Sequence, residues 1–110
     1  MKLRITPAAL DDLKNSDIIQ FLKNLGAERD AEKIVLFGSR ARGDAKDTSD
    51  YDIVFFGITD KNVRAEILYS CEWEAPTLCN LDVLFGEDVC ADLMQNIDKE
   101  GIVIYERTKA

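Results

Sequence analysis

Gly38-Ser39 and, after ten intervening residues, Asp50-Tyr51-Asp52 are the residues of this 110-residue chain best suited to chemistry. Residues two apart in an extended segment project from the same face about 6.6 Å apart, at a rise of roughly 3.3 Å per residue, so Asp50 and Asp52 point together. Two ionised carboxylates that close repel each other: either one keeps its proton, or a divalent cation neutralises the pair. The chain has no histidine, and Cys71, Cys79 and Cys90 show no Cys-x-x-Cys spacing. Oxygen ligands alone select magnesium, or manganese in its place, over softer metals. At Gly38 the missing side chain lets backbone approach a phosphate, while the Ser39 hydroxyl and the N–H groups of the next turn can donate to its oxygens. Arg40 and Arg42 add permanently charged donors; two apart on a helical turn they point in different directions, and Arg42 is the one expected at the site. A phosphate-gripping turn beside a metal-gripping edge points to nucleotide chemistry.

A third carboxylate, Asp82, lies in Leu81-Asp82-Val83. On a strand beside the first two acids and facing their way, it completes a site for two ions about 3.5–4 Å apart, the separation used for in-line phosphoryl displacement. With no histidine present, Asp82 is also the candidate acceptor for the attacking hydroxyl's proton. Singly, a Gly-Ser pair is usually a turn and Asp-x-Asp a solvated loop. Their joint spacing, with a strand on each side, favours the functional reading.

Those strands are legible. Lys33 to Phe37 is short and β-branched, and residues 50–57 are a second such run. Ser39-Arg40-Ala41-Arg42 reads as one helical turn stopped by Gly43. Residues 61–73 place Val63, Ile67, Leu68 and Cys71 on a helical stripe, residues 78–85 form a third strand, 88–100 a last helix ended by Gly101, and Ile102 to Tyr105 a final strand. Ahead of these, Thr6-Pro7 and Ser16-Asp17 are both helix starts, and Gly26 is expected as a left-handed terminator. Whether residues 7–25 make one helix or two stays open. The fold class is α/β (α+β), a small mixed sheet flanked by helices, in a single domain spanning residues 1–110.

Composition bounds the partners. No apolar run approaches the roughly 20 residues of a membrane span, and the N-terminus has no secretory pattern, so a cytoplasmic protein away from membranes is expected. The three cysteines read as small buried hydrophobes. The net charge is −7, with residues 58–110 carrying eleven acids against five bases. That surface repels phosphate backbones, so no direct binding to long nucleic acid is expected, and a basic protein suits it better.

At Phe37-Gly38-Ser39-Arg40-Ala41-Arg42-Gly43, Asp50, Asp52 and Asp82, the chain resembles the DNA polymerase β-type nucleotidyltransferase superfamily. Within it the likeness is to the minimal nucleotidyltransferases that act as antitoxins beside helical HEPN-type toxins, and it runs from about Leu25 to Tyr105. Tyr51, where an aliphatic residue is usual, and Thr48-Ser49, in place of a proline-containing approach, are departures; Tyr51 is expected to face away from the acids. The resemblance implies transfer of AMP from ATP, with two magnesium ions held by Asp50, Asp52 and Asp82 and the nucleotide gripped by Gly38, Ser39 and Arg42. It further implies that the acceptor is a hydroxyl, a tyrosine, on a partner HEPN-type toxin. Two other readings stand beside it: an antitoxin that neutralises by binding alone, and a small-molecule nucleotidyltransferase working with a separate helical subunit.

Overall fold

The computed structural model describes residues 16–108, so the helix start expected at Thr6-Pro7 lies outside the described residues. Helix α1 spans Ser16–Glu28 and buries Ile18, Leu22 and Leu25, spaced to share one face. Strand β1 is Lys33–Phe37, the single turn α2 is Ser39–Arg42, and β2 is Tyr51–Phe56. Helix α3 is Lys61–Trp73, capped by the Asp60 carboxylate, which accepts from the N–H groups of Asn62 and Val63. Strand β3, Leu81–Phe85, leads through a 3₁₀ turn, Gly86–Asp88, to α4, Ala91–Glu100, and β4, Ile102–Glu106. No helix among the described residues is long and apolar enough to cross a membrane.

The sheet is mixed, in the order β3-β2-β1-β4. The β1–β2 and β1–β4 pairs are antiparallel, whereas β2 and β3, joined through α3, run parallel. A strand–helix–strand crossover of that kind returns the chain to the same end of the sheet. It therefore sets Asp82 opposite Asp52. Alternation then sorts the side chains. Ile34, Leu36, Tyr51, Ile53 and Phe55 join the core under α1 and α3, and Val35 and Val54 pack with Ile97 of α4 on the other face.

Several expectations are corrected. Gly26 is inside α1, not beyond it; a Cβ there would come within 2.7 Å of Ile34 Cδ1 and 2.9 Å of Tyr105 Cδ2, so its role is close approach of helix to sheet. The left-handed residue after α1 is Asp30, at φ 58°. Gly101 ends α4 where expected but in an extended conformation, φ −71° and ψ 151°. Leu68 is off the buried stripe of α3, which is Ile67, Ser70 and Cys71. β3 begins at Leu81 because Cys79 N–H donates to the Thr77 hydroxyl and turns the preceding residues. The last helix starts at Ala91, since Val89 and Cys90 are extended after the 3₁₀ turn. Of the cysteines, Cys71 is buried, its thiol pushed up to about 12 by burial, but Cys79 is half-buried and Cys90 exposed.

Candidate active site

β1 ends at Gly38, whose backbone, φ 74° and ψ −156°, lies in a region essentially closed to residues with a side chain. This conformation folds the chain from strand directly into α2, and the Gly38 carbonyl accepts from the N–H groups of Ala41 and Arg42 at 3.1 and 3.0 Å. Ser39 is the first residue of that turn, where N–H groups have no partner within the helix. Gly43, left-handed at φ 87°, stops it. A Cβ on Gly38 would run into the Asp52 carboxylate. The turn and the acid are thus in direct apposition, as the neighbouring positions of Phe37 and Asp52 in the β1–β2 register require.

Asp52 and Asp82 are register partners on parallel strands and so share a face. On that face α4 packs over Val35 and Val54 together with Phe37, Phe56 and Val103, and no residue of β3 joins this cluster, which leaves the β3 side open. Asp82 is therefore exposed, although Leu81 and Val83 flank it in the sequence, while Asp52 is half-buried. Burial first, then the charges of Asp82 and Asp50, hold the Asp52 carboxyl above the usual carboxylate range, and Arg42 opposes them. Asp50, expected to share a strand face with Asp52, instead lies one residue ahead of β2 and is exposed, and its charge adds to that of Asp82 at the Asp52 carboxyl. Tyr51 faces the opposite way, into the core.

The two arginines divide their work. Arg40 is buried: its Nη2 donates to the carbonyls of Ser49 and Asp47 at 2.8 and 3.1 Å, and the guanidinium stacks 4.2 Å from the Tyr51 ring centroid. It fastens the carbonyl that immediately precedes Asp50. Arg42 points out, paired at 3.2 Å with Asp44 and 3.5 Å with Glu100, and both carboxylates raise its pKa. Exposed pairs of this kind are weak, so Arg42 is free to exchange them for a phosphate. Sequence reasoning did not recognise Arg40 as the clamp; the available signal was its pairing with the unusual aromatic Tyr51 eleven residues on. An ammonium cannot reproduce a planar, stacked, forked donor. Arg40→Lys is expected to cost about 2 kcal/mol, a fall of roughly 10 °C in melting temperature by calorimetry.

The donor set suits a hard divalent cation, because the charges of Asp82 and Asp50 on the Asp52 carboxyl are relieved by positive charge. The carboxylates are not drawn into a ready-made cage: among the described residues no three His, Cys, Asp or Glu side chains cluster tightly enough to hold a metal ion. Magnesium does not require one, since it takes one or two carboxylates and completes its shell with water and phosphate oxygens.

A family model described as Polymerase beta, Nucleotidyltransferase matches residues 16–110. No curated protein sequence matches the chain. Among solved structures, a toxin–antitoxin complex with AMP-PNP is similar with a TM-score of 0.63 at 19% identity, over 82% of this chain and 74% of that one. A mutant of the MntA–HpeT toxin–antitoxin pair gives 0.63 at 17% identity, over 82% and 74%. The tri-AMPylated HEPN toxin of Shewanella oneidensis in complex with MNT antitoxin gives 0.53 at 19%, over 91% and 73%. At these identities the likeness establishes a common fold.

Proposed function

Because the chain belongs to the polymerase β nucleotidyltransferase family, we propose that it transfers AMP from ATP to a hydroxyl, a tyrosine, of a partner HEPN-type toxin in the cytoplasm and so acts as its antitoxin. The observation that carries this reading is the apposition of Asp52 and Asp82 on an open sheet face, with the Asp52 carboxylate against the strand-ending Gly38. That three solved structures of the same fold are toxin–antitoxin complexes, one with AMP-PNP and one with an AMPylated HEPN toxin, supports the choice of nucleotide and acceptor.

Gly38 and Ser39 would take the triphosphate, the glycine by close approach and the serine hydroxyl by donation, with Arg42 adding charge. Asp50, Asp52 and Asp82 would hold magnesium, which when bound neutralises charge on the phosphates and lowers the barrier to in-line displacement. The acceptor oxygen bonds to the α-phosphorus as the bond to the bridging oxygen breaks and pyrophosphate leaves. A carboxylate oxygen of Asp82, which is exposed on that face, takes the hydroxyl proton.

Incubation with α-labelled ATP, magnesium and the toxin should label the toxin at tyrosine; absence of label on any acceptor would defeat the proposal. A binding experiment is independent of the acceptor. Ligand at a hundred times its Kd stabilises the native state by about 2.7 kcal/mol, so magnesium with ATP should raise the melting temperature by roughly 10 °C in the parent and leave the Asp50→Asn/Asp52→Asn variant unmoved.

A further inference from the structure

Helix α3 carries more apolar surface than the core uses. Ile67 and Cys71 face the sheet, yet a second stripe, Ala65, Leu68, Tyr69 and Trp73, recurs at i, i+3, i+4 and i+8 on the outer side. Trp73 is 71% exposed, Tyr69 60% and Leu68 46%, and Leu78 in the following loop is fully exposed. Isolated exposed hydrophobes are ordinary; a helical stripe of them with two aromatics is the pattern by which a helix is read by a partner. Beside it lies a groove of about 370 Å³ lined by Arg29, Ala65, Glu66, Tyr69, Ser70 and Glu74. One wall, Arg29, is paired with Glu66 at 3.2 Å while its Nε is buried without an acceptor.

We propose that this outer face of α3, with Leu78, is the docking surface for the acceptor-bearing protein, which meets it with an apolar helical stripe flanked by lysine or arginine. The partner's role as acceptor rests on the adenylyl-transfer reading; the surface itself does not. Charge decides the occupant. Glu72 falls within the stripe, four residues after Leu68 and three after Tyr69, and Glu66 and Glu74 flank it, on a chain of net charge −7, so two copies packed face to face would set acid against acid, whereas a basic partner neutralises these acids. Position decides the purpose. α3 runs back from the Phe56 end of the sheet to the end where Asp52 and Asp82 stand in register. The loop after it is tied, through Cys79 Sγ to the Asp47 carbonyl at 3.3 Å, to the segment that precedes Asp50. α3 packs on the sheet face opposite Asp52 and Asp82, so a protein seated on Trp73 and Leu78 reaches the carboxylates by wrapping round the end of the sheet at which α3 finishes.

Trp73 is the only tryptophan in the sequence, so incorporation of 5-fluorotryptophan places one fluorine reporter on this surface. Titration with the purified product of the adjoining reading frame should shift that single ¹⁹F resonance. Tyr69→Ser and Leu78→Ser should each weaken binding about thirtyfold, and Glu72→Gln with Glu74→Gln should flatten its salt dependence. Both apolar variants change exposed side chains and should keep the parent's circular-dichroism melting curve and its magnesium–ATP shift. Asp52→Asn should bind the product as tightly as the parent while failing to transfer; transfer by that variant would sink the catalytic reading and leave the surface standing. Parental affinity in the apolar variants, an unmoved resonance on binding, no binding of that product to the parent, or an isolated chain that sediments as a dimer dissociated by Leu78→Ser would each overturn the docking surface.

Discussion

Asp52→Asn should lower nucleotidyl transfer about a thousandfold and, at the same time, raise the melting temperature at neutral pH. The first effect follows from removing a ligand charge where phosphate charge must be neutralised: a loss of about 4 kcal/mol of transition-state stabilisation corresponds to roughly three powers of ten. The second follows from the carboxyl's environment. Burial, then Asp82 and Asp50, raise its pKa in the folded chain above the ordinary 3.8. Between 3.8 and the raised folded value, the native state holds a proton that the unfolded chain has released, so stability falls as pH rises through that window. Above the folded pKa the whole penalty stands. Asparagine does not titrate, so parent and variant should melt together at acid pH and separate in the variant's favour toward neutrality. Matched scans across that range, with transfer assayed on the same samples, check both halves; a variant less stable than the parent at neutral pH would mean that the carboxylate's hydrogen bonding outweighs its repulsion. The coupling has a general origin: a site built to attract a cation is strained without one, and relieving the strain removes the function.

Much of this arrangement could be read from the residues because its determinants are local. Glycines punctuate where the backbone has to reverse, and the runs from Lys33 to Phe37 and from Tyr51 to Phe56 are too short and too β-branched for helices. The register of Asp52 with Asp82 is less local, but one helix between two strands makes those strands parallel neighbours, and that was enough to bring the acids together. What escaped depends on which surface of an element is covered. Gly26 looks like a terminator until Ile34 and Tyr105 are found pressed against it. Leu68 fits a helical stripe as well as Ile67 does, and only the packing of α3 distinguishes the inner face from the outer. Asp82 is exposed because α4 covers β1 and stops short of β3, a matter of helix placement that no alternation pattern records. Arg40 and Arg42 differ for the same reason: their two-residue offset says they diverge, not which one turns inward.

The same contrast between local and tertiary causes can be measured at Gly38. Gly38→Ala should destabilise the protein by about 3–4 kcal/mol and depress transfer at least a hundredfold. Two separate costs are involved: a conformation at φ 74° and ψ −156° that costs a residue with a Cβ about 1–3 kcal/mol, and a methyl group driven into the Asp52 carboxylate, worth about another 1–3 kcal/mol as overpacking. The transfer defect follows from the second cost, since displacing a catalytic group by about 1 Å is worth two powers of ten. A double-mutant cycle separates them. Asp52→Ala removes the colliding oxygens, so combined with Gly38→Ala it should recover about 1–2 kcal/mol relative to the sum of the single variants, leaving the backbone cost. Asp52→Asn keeps the side chain's shape and removes only its charge, so it should recover little. Urea titrations of the five variants and the parent give both couplings. Equal recovery with alanine and asparagine would mean that charge, not volume, sets the distance between turn and acid; no recovery with either would mean that the strand-ending turn is strained by its backbone alone, and that the closeness of Gly38 to Asp52 has no part in holding the carboxylate in place.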